Sequence, residues 1–140
     1  MPDNTAICRK LELLAGYYHE LMEISSGITL ESYVNNTILR RAVEREIQLI
    51  VECATDINNM ILKSLKAGPS KDYFNSFIDL AENNVITMEI ALKIAPSTGL
   101  RNILVHEYRK IDDNVVFQSI KHVREYYKDY MDAVSKYLGC

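Results

Sequence analysis

The 140-residue sequence is sparing with glycine and proline, five and three of each, too little punctuation for a β fold of many turns. Cysteine is scarce as well. Cys8, Cys53 and Cys140 cannot all pair within one chain, and no two stand at the C-x-x-C spacing of a metal site. Cys53, set in an apolar helical stretch, reads as a small core hydrophobe, and Cys140, at the last position, as a free thiol. That usage fits a reducing cytoplasm. Positive charge is not in excess: 16 Lys and Arg against 19 Asp and Glu leave a net charge of -3. No whole-molecule field therefore draws in nucleic acid, which argues against a binder that works by general phosphate neutralisation. A nuclease remains open, because a few local arginines can hold one scissile phosphate. There is no apolar run of ~18 residues able to span a bilayer, and the opening MPDNTAICRKLELL lacks a signal-peptide core. The expected location is the cytoplasm, with no membrane partner.

What is present favours helices. Apolar residues make up 48% and charged residues 25%, an ordinary balance for a folded chain, and this length encloses one core more readily than two. One domain over residues 1–140 is expected. Asn4 or Thr5 can cap a first helix carrying Ile7, Leu11, Leu14, Tyr18, Leu21 and Met22 at three- and four-residue steps, ending near Ser25-Ser26-Gly27. A short helix over 30–36 follows Thr29. The strongest periodicity joins Leu39, Ala42, Val43, Ile47, Ile50, Ala54, Ile57, Ile61 and Leu65. It predicts a spine helix of ~28 residues, about 40 Å long, from Ile38 to Leu65. KAGPS at 66–70 stops it. Shorter helices are predicted over 71–82 and 85–95, the latter stopped by Pro96, with Ser97 or Thr98 capping the next. Asp112 or Asp113 caps a last helix from Val115 to about Leu138. With no repeats, linker or strand alternation, the fold class is all-α: an antiparallel helical bundle of two long and several shorter helices. The spine's apolar stripe looks longer than one chain can cover, which predicts a dimer.

RNILVHEY, residues 101–108, gathers Arg101, Asn102, His106 and Tyr108 in a chain with three histidines. If the segment is helical, at ~100° per residue these four fall within a sector about 160° wide. Asn102 and His106, four residues apart, can share a hydrogen bond, and Arg101 and Tyr108 nearly align two turns apart. Such a face suits metal-independent RNA cleavage, in which the 2′-OH attacks the adjacent phosphate to leave a cyclic phosphate. That reaction needs a group titrating near neutral pH, as histidine does at ~6.5. It also needs fixed positive charge for the crowded oxyanions, and a guanidinium holds two at once. His106 and Arg101 fit these roles, with Asn102 orienting the imidazole or contacting phosphate. One copy carries one such histidine, so a two-fold dimer would supply a second set. By spacing alone the same residues also fit an ordinary helix end, with histidine on exposed carbonyls and tyrosine closing a bundle.

The motif resembles the R-x(4–6)-H signature of the HEPN superfamily of helical ribonucleases. More narrowly it is similar to the HepT toxin family, whose signature is Arg, four residues, His, one residue, Tyr. Arg101, His106 and Tyr108 stand in that order, Asn102 matches the polar residue after the arginine, and RRAVEREIQLIVECATDINN at 40–59 resembles that family's long helix. The resemblance implies a HEPN-like, homodimeric toxin of a type II toxin–antitoxin system, an endoribonuclease with Arg101 and His106 catalytic and Asn102 supporting. It implies no cofactor and an MntA-type nucleotidyltransferase antitoxin that transfers AMP from ATP to Tyr108. AMP there adds negative charge and bulk beside the cleft, excluding RNA phosphate.

Several other residues carry two readings. Arg40, Arg41 and Arg45 fit an RNA-contacting patch, or a solvated face paired with Glu44 and Glu46. Glu52 fits a buried partner for Arg101, or a surface position. His19 and His122 are expected to be exposed, and Tyr126, Tyr127 and Tyr130 to pack with wet hydroxyls. Two rivals to the ribonuclease stand: a non-enzymatic helical interaction module binding a nucleotidyltransferase or nucleotide, and a bundle whose motif only ties helices together.

Overall fold

The protein was analysed as a computed structural model that describes residues 4–140. Its elements in chain order are α1 (Thr5–Ile24), α2 (Leu30–Val34), α3 (Thr37–Ser64), α4 (Tyr73–Glu82), α5 (Met88–Ile94), α6 (Ser97–His106), a 3-10 turn (Tyr108–Lys110) and α7 (Asp113–Leu138). No strand occurs among the described residues, and no helix there is long and apolar enough to cross a membrane.

The spine forms as its periodicity predicts. Asn36 Oδ1 accepts from the Leu39 N–H at 3.0 Å to start α3. Its far end is closed by a tight turn in which the Ala67 N–H reaches back to Leu62 O. A Cβ at Gly68 would come within 2.9 Å of Leu62 Cβ, so only glycine fits there. Val43, Ile47, Ile50, Ala54, Ile57 and Ile61 of α3 are fully buried. They pack against Leu14 and Leu21 of α1 and Val116, Val123 and Val134 of α7 in one core.

Cross-helix contacts fix the directions. Lys10 pairs with Asp56 and Glu20 faces Glu46, so α1 runs antiparallel to α3. The Tyr18 hydroxyl donates to Arg124 O at 2.7 Å, and Cys8 bonds Cys140, so α1 is antiparallel to α7 as well. Arg40 meets Asp113 and Tyr130 meets Ala54, which makes α3 and α7 parallel. The shorter α4, α5 and α6 pack between α3 and α7 beyond α1's reach.

Several expectations change. Cys140 is not a free thiol: α7's last turn ends beside α1's first, with Cα atoms of Cys8 and Cys140 6.3 Å apart and their sulfurs bonded. Cysteine usage therefore no longer argues for a reducing compartment. Cys53 is a buried core thiol as expected. The spine's stripe needs no second copy to cover it, because α1, α4, α6 and α7 bury it within one chain. Tyr127 and Tyr130 are buried and their hydroxyls dry. Tyr127 shares a 2.7 Å hydrogen bond with Ser97 Oγ, and Tyr130 donates to Ala54 O and Asn58 Oδ1. Burial pushes both phenols up.

Helix starts move too. α4 begins at Tyr73 because Asp72 caps it, accepting from Asn75 N at 2.7 Å. α5 begins at Met88 because Thr87 caps it, leaving Val85 and Ile86 as buried loop residues. Neither Ser97 nor Thr98 caps α6. Both hydroxyls turn back to carbonyls of the preceding turn, Ile94 and Ala95, and Pro96 takes the N-cap position.

Tyr130→Phe should lower unfolding free energy by about 1–3 kcal/mol, because Asn58 Oδ1 loses its donor inside the core. Urea denaturation checks it, and an unchanged midpoint would rule out that network as a contributor. A second expectation concerns Glu46, whose carboxyl is raised to about 7, first by burial and then by Glu20. The folded chain keeps a proton there that the unfolded chain releases above its ordinary value of 4.5. That stability is therefore complete at low pH and is lost as pH rises to about 7. Glu46→Gln should flatten the fall in unfolding free energy across that window.

Candidate active site

α6 leaves the α5 turn at Pro96 and rests on the core through Leu104. That docking aims Arg101 inward. Its side chain is only 13% exposed, and its Nη2 donates to Glu52 Oε1 of α3 at 3.3 Å, with Glu52 28% exposed. The guanidinium lies 4.7 Å from the centroid of the Tyr73 ring on α4. Nη1 donates to Asn102 Oδ1 at 3.2 Å. Gln48, one turn before Glu52, donates to the same carboxylate at 3.2 Å. Three helices thus hold one guanidinium, by charge from α3, a ring face from α4 and an amide from α6 itself.

Asn102 is therefore placed differently from the sequence reading. Its oxygen turns to Arg101 rather than to His106. His106 is the last residue of α6 and is exposed, five residues and about 7.5 Å of helix rise beyond Arg101. The helix does not continue to Tyr108. Glu107, at φ -132 and ψ 46, leaves helical space, and Tyr108 opens the 3-10 turn. The alignment of Arg101 and Tyr108 along one helix does not occur.

Tyr108 is 50% exposed, and the Arg41 guanidinium of α3 lies 5.2 Å from its ring centroid. Arg41 is held by Glu44 at 3.0 Å. Burial raises the Glu44 carboxyl, and Arg41 opposes that shift. Arg40 is taken up otherwise, bonding Val34 O and pairing with Asp113 at 3.7 Å. The three arginines are thus not one patch: Arg41 faces the motif tyrosine, Arg40 ties α2 and α3 to α7, and Arg45 is exposed. His19 and His122 are exposed, each against a tyrosine ring.

Tyr73 and Gln48 were missed from the sequence. Gln48 left a signal, its four-residue spacing from Glu52 on a helix. Tyr73 left none, since only the packing of α4 on α6 brings its ring to Arg101. A groove of about 370 Å³ between α5, α6 and α7 is lined by residues such as Pro96, Leu100, Val115 and Tyr126, and by none of the motif's polar residues.

Comparison with known proteins gives the chain's relatives. The family model "Ribonuclease HepT-like" matches residues 14–134. A tRNA nuclease HepT of Aphanizomenon flos-aquae is 41% identical over 129 residues, 92% of this chain and 87% of that protein. An mRNA nuclease HepT of Shewanella oneidensis is 30% identical over 96 residues, 69% of this chain and 72% of that one. A solved structure, a tri-AMPylated Shewanella oneidensis HEPN toxin in complex with MNT antitoxin, superposes with a TM-score of 0.84 at 24% identity, covering 97% of this chain and 99% of that one. The last likeness establishes the fold.

Glu52→Ala leaves a largely buried cation without its carboxylate, and Arg101→Ala leaves the carboxylate alone. Each should cost about 1–3 kcal/mol, with a coupling of about 0.5–2 kcal/mol in the double-mutant cycle. Additive losses in urea denaturation would show that the two side chains do not support each other.

Proposed function

The chain belongs to the HepT-like ribonuclease family, and from that premise we propose that it is the toxin of a type II toxin–antitoxin pair, cutting cytoplasmic RNA at Arg101 and His106. The whole 140-residue chain serves as one catalytic domain. The observation that carries the reading is the state of Arg101: a guanidinium fixed by Glu52, Tyr73 and Asn102 on the helix that ends in a solvent-facing His106.

The chemistry follows from these positions. The ribose 2′-oxygen attacks the neighbouring phosphorus, the P–O5′ bond breaks, and a 2′,3′-cyclic phosphate remains. The 2′-hydroxyl loses a proton and the 5′-oxygen gains one, and His106 carries one of these transfers. Arg101 stabilises the charge gathered on the phosphoryl oxygens. Its placement before substrate arrives spares reorganisation during reaction. Asn102 supports Arg101 through the Nη1 bond and offers its amide N–H groups outward. A second imidazole comes from a second copy, so the working form is a homodimer with His106 of each protomer at the shared site.

Regulation falls on Tyr108. A nucleotidyltransferase antitoxin of the MntA type joins the tyrosine oxygen to the α-phosphorus of ATP, and pyrophosphate leaves. Half of the Tyr108 side chain lies open, on a turn rather than in the helix, where a modifying enzyme can approach it. The attached phosphodiester brings negative charge toward Arg41 and Arg101 and competes with RNA phosphate for them. In the unmodified chain Arg41, paired with Glu44, lies against the Tyr108 ring.

His106→Ala should slow RNA cleavage by roughly 10²–10⁴-fold, while unfolding free energy stays within about 0.5 kcal/mol because the side chain is exposed. A variant cutting as fast as the parent would refute the assignment. It would favour instead a module that grips a phosphate through Arg101 without catalysis. Intact mass after co-expression with the antitoxin should rise in steps of AMP, and Tyr108→Phe should abolish those steps.

A further inference from the structure

Beside Arg101, between the starts of α4 and α6, lies a cleft of about 300 Å³ lined by Asp72, Tyr73, Phe74, Thr98, Arg101 and Asn102. Its volume suits a small-ligand pocket rather than a duplex groove. Four features bear on what it takes. Phe74, at the second position of α4, is 43% exposed, although the neighbouring Phe77 is fully buried. It is thus an apolar ring that the core does not use. The Tyr73 ring face is already covered by the Arg101 guanidinium. The Thr98 hydroxyl is spent on Ala95 O, which leaves Asp72 and Asn102 as the polar groups able to meet a ligand.

Those two present opposite characters. Asn102 has its oxygen engaged by Arg101, so its amide donors are free to face the cleft. Asp72 caps α4 with Oδ1, accepting from both the backbone and the side chain of Asn75, and its other oxygen remains an acceptor. These bonds hold its carboxyl below the usual range, so it stays ionised. A carboxylate here repels a second phosphate but accepts from an N–H donor. An open ring, an acceptor and an amide donor, contiguous with a phosphate-gripping arginine, form the set that reads one splayed base of a single strand.

We propose that this cleft is a nucleobase subsite, in which an unpaired, amino-bearing base next to the scissile phosphate stacks on Phe74 and donates to Asp72. The proposal rests on the ribonuclease reading and extends it to sequence preference. Phe74 and Asp72 act on recognition, not on proton transfer, so base choice and KM carry their effect.

The test uses the full-length chain and short oligoribonucleotides with A, C, G or U at one position among otherwise identical residues. Cleavage by the parent is mapped by product ends, and binding is measured with His106→Ala to prevent turnover. Phe74→Ala should raise KM by about 5- to 100-fold, the loss of one base–aromatic stack, with a smaller change in kcat. Phe74→Trp should restore it. Asp72→Asn keeps a competent helix cap but turns an acceptor outward into a donor, so preference should move from amino-bearing bases toward uracil. Binding and cleavage sites that ignore both substitutions would overturn the subsite. A parent that cuts no RNA would overturn the ribonuclease reading instead, and base-selective binding lost in Phe74→Ala would still uphold the subsite.

Discussion

A guanidinium with so little of its surface in water has to be met by a carboxylate, and the site hangs on the contact that does this, Arg101 with Glu52. An unpaired cation at that depth would be costly, and a paired one on a flexible surface would be imprecise. Glu52 avoids both, because it sits mid-way along the most buried helix of the molecule and is itself steadied by Gln48. The ring of Tyr73 adds a third wall. The Arg101 guanidinium is therefore anchored to the core. Core packing and site geometry are the same problem here: anything that shifts α3 against α4 or α6 shifts the guanidinium.

The end of α6 separates two surroundings that the linear motif runs together. His106 ends the helix, facing solvent, while Glu107 breaks the helical path and hands Tyr108 to a short turn under Arg41. Arg101 and Tyr108 thus belong to different surroundings, the first gripped by α3 and α4, the second half-open and touched by the Arg41 guanidinium. Under the proposed function, the tyrosine to be modified needs access, and the arginine that stabilises charge needs enclosure. The break at Glu107 provides for both within eight residues.

Charge is used in the same local way. A chain of net charge -3 cannot attract RNA as a whole, and several of its cations are bound to neighbours. Arg40 pairs with Asp113, Lys10 with Asp56, Lys93 with Glu89 and Lys110 with Glu107. Near the motif, Arg41 and Arg101 each share their charge with one carboxylate and one aromatic ring. Under the proposed function, recognition would depend on pocket chemistry beside those cations rather than on a broad electrostatic surface.

The helices and the identities of the motif residues were legible in the sequence because both are local. The spine's three- and four-residue spacing survives folding unchanged, and Thr29 and Asp112 cap the helices that follow them. Local spacing did not reveal that Ser97 bonds backward to Ile94 and across to Tyr127, or that Tyr130 hides its hydroxyl against α3. Nor did it reveal that Cys140 finds Cys8 across 132 residues. Each of those pairings joins groups far apart in the chain, and a hydroxyl or thiol looks the same in sequence whether it faces water or a partner. The sequence alone determined an all-α bundle and a motif of Arg101, Asn102, His106 and Tyr108. Only the tertiary structure decided that Glu52 and Tyr73 hold Arg101, that Asn102 serves Arg101 rather than His106, and that Tyr108 leaves the helix to meet Arg41. The physical reason is that periodicity tells which way a side chain points, while the partner waiting there is set by how separate helices pack.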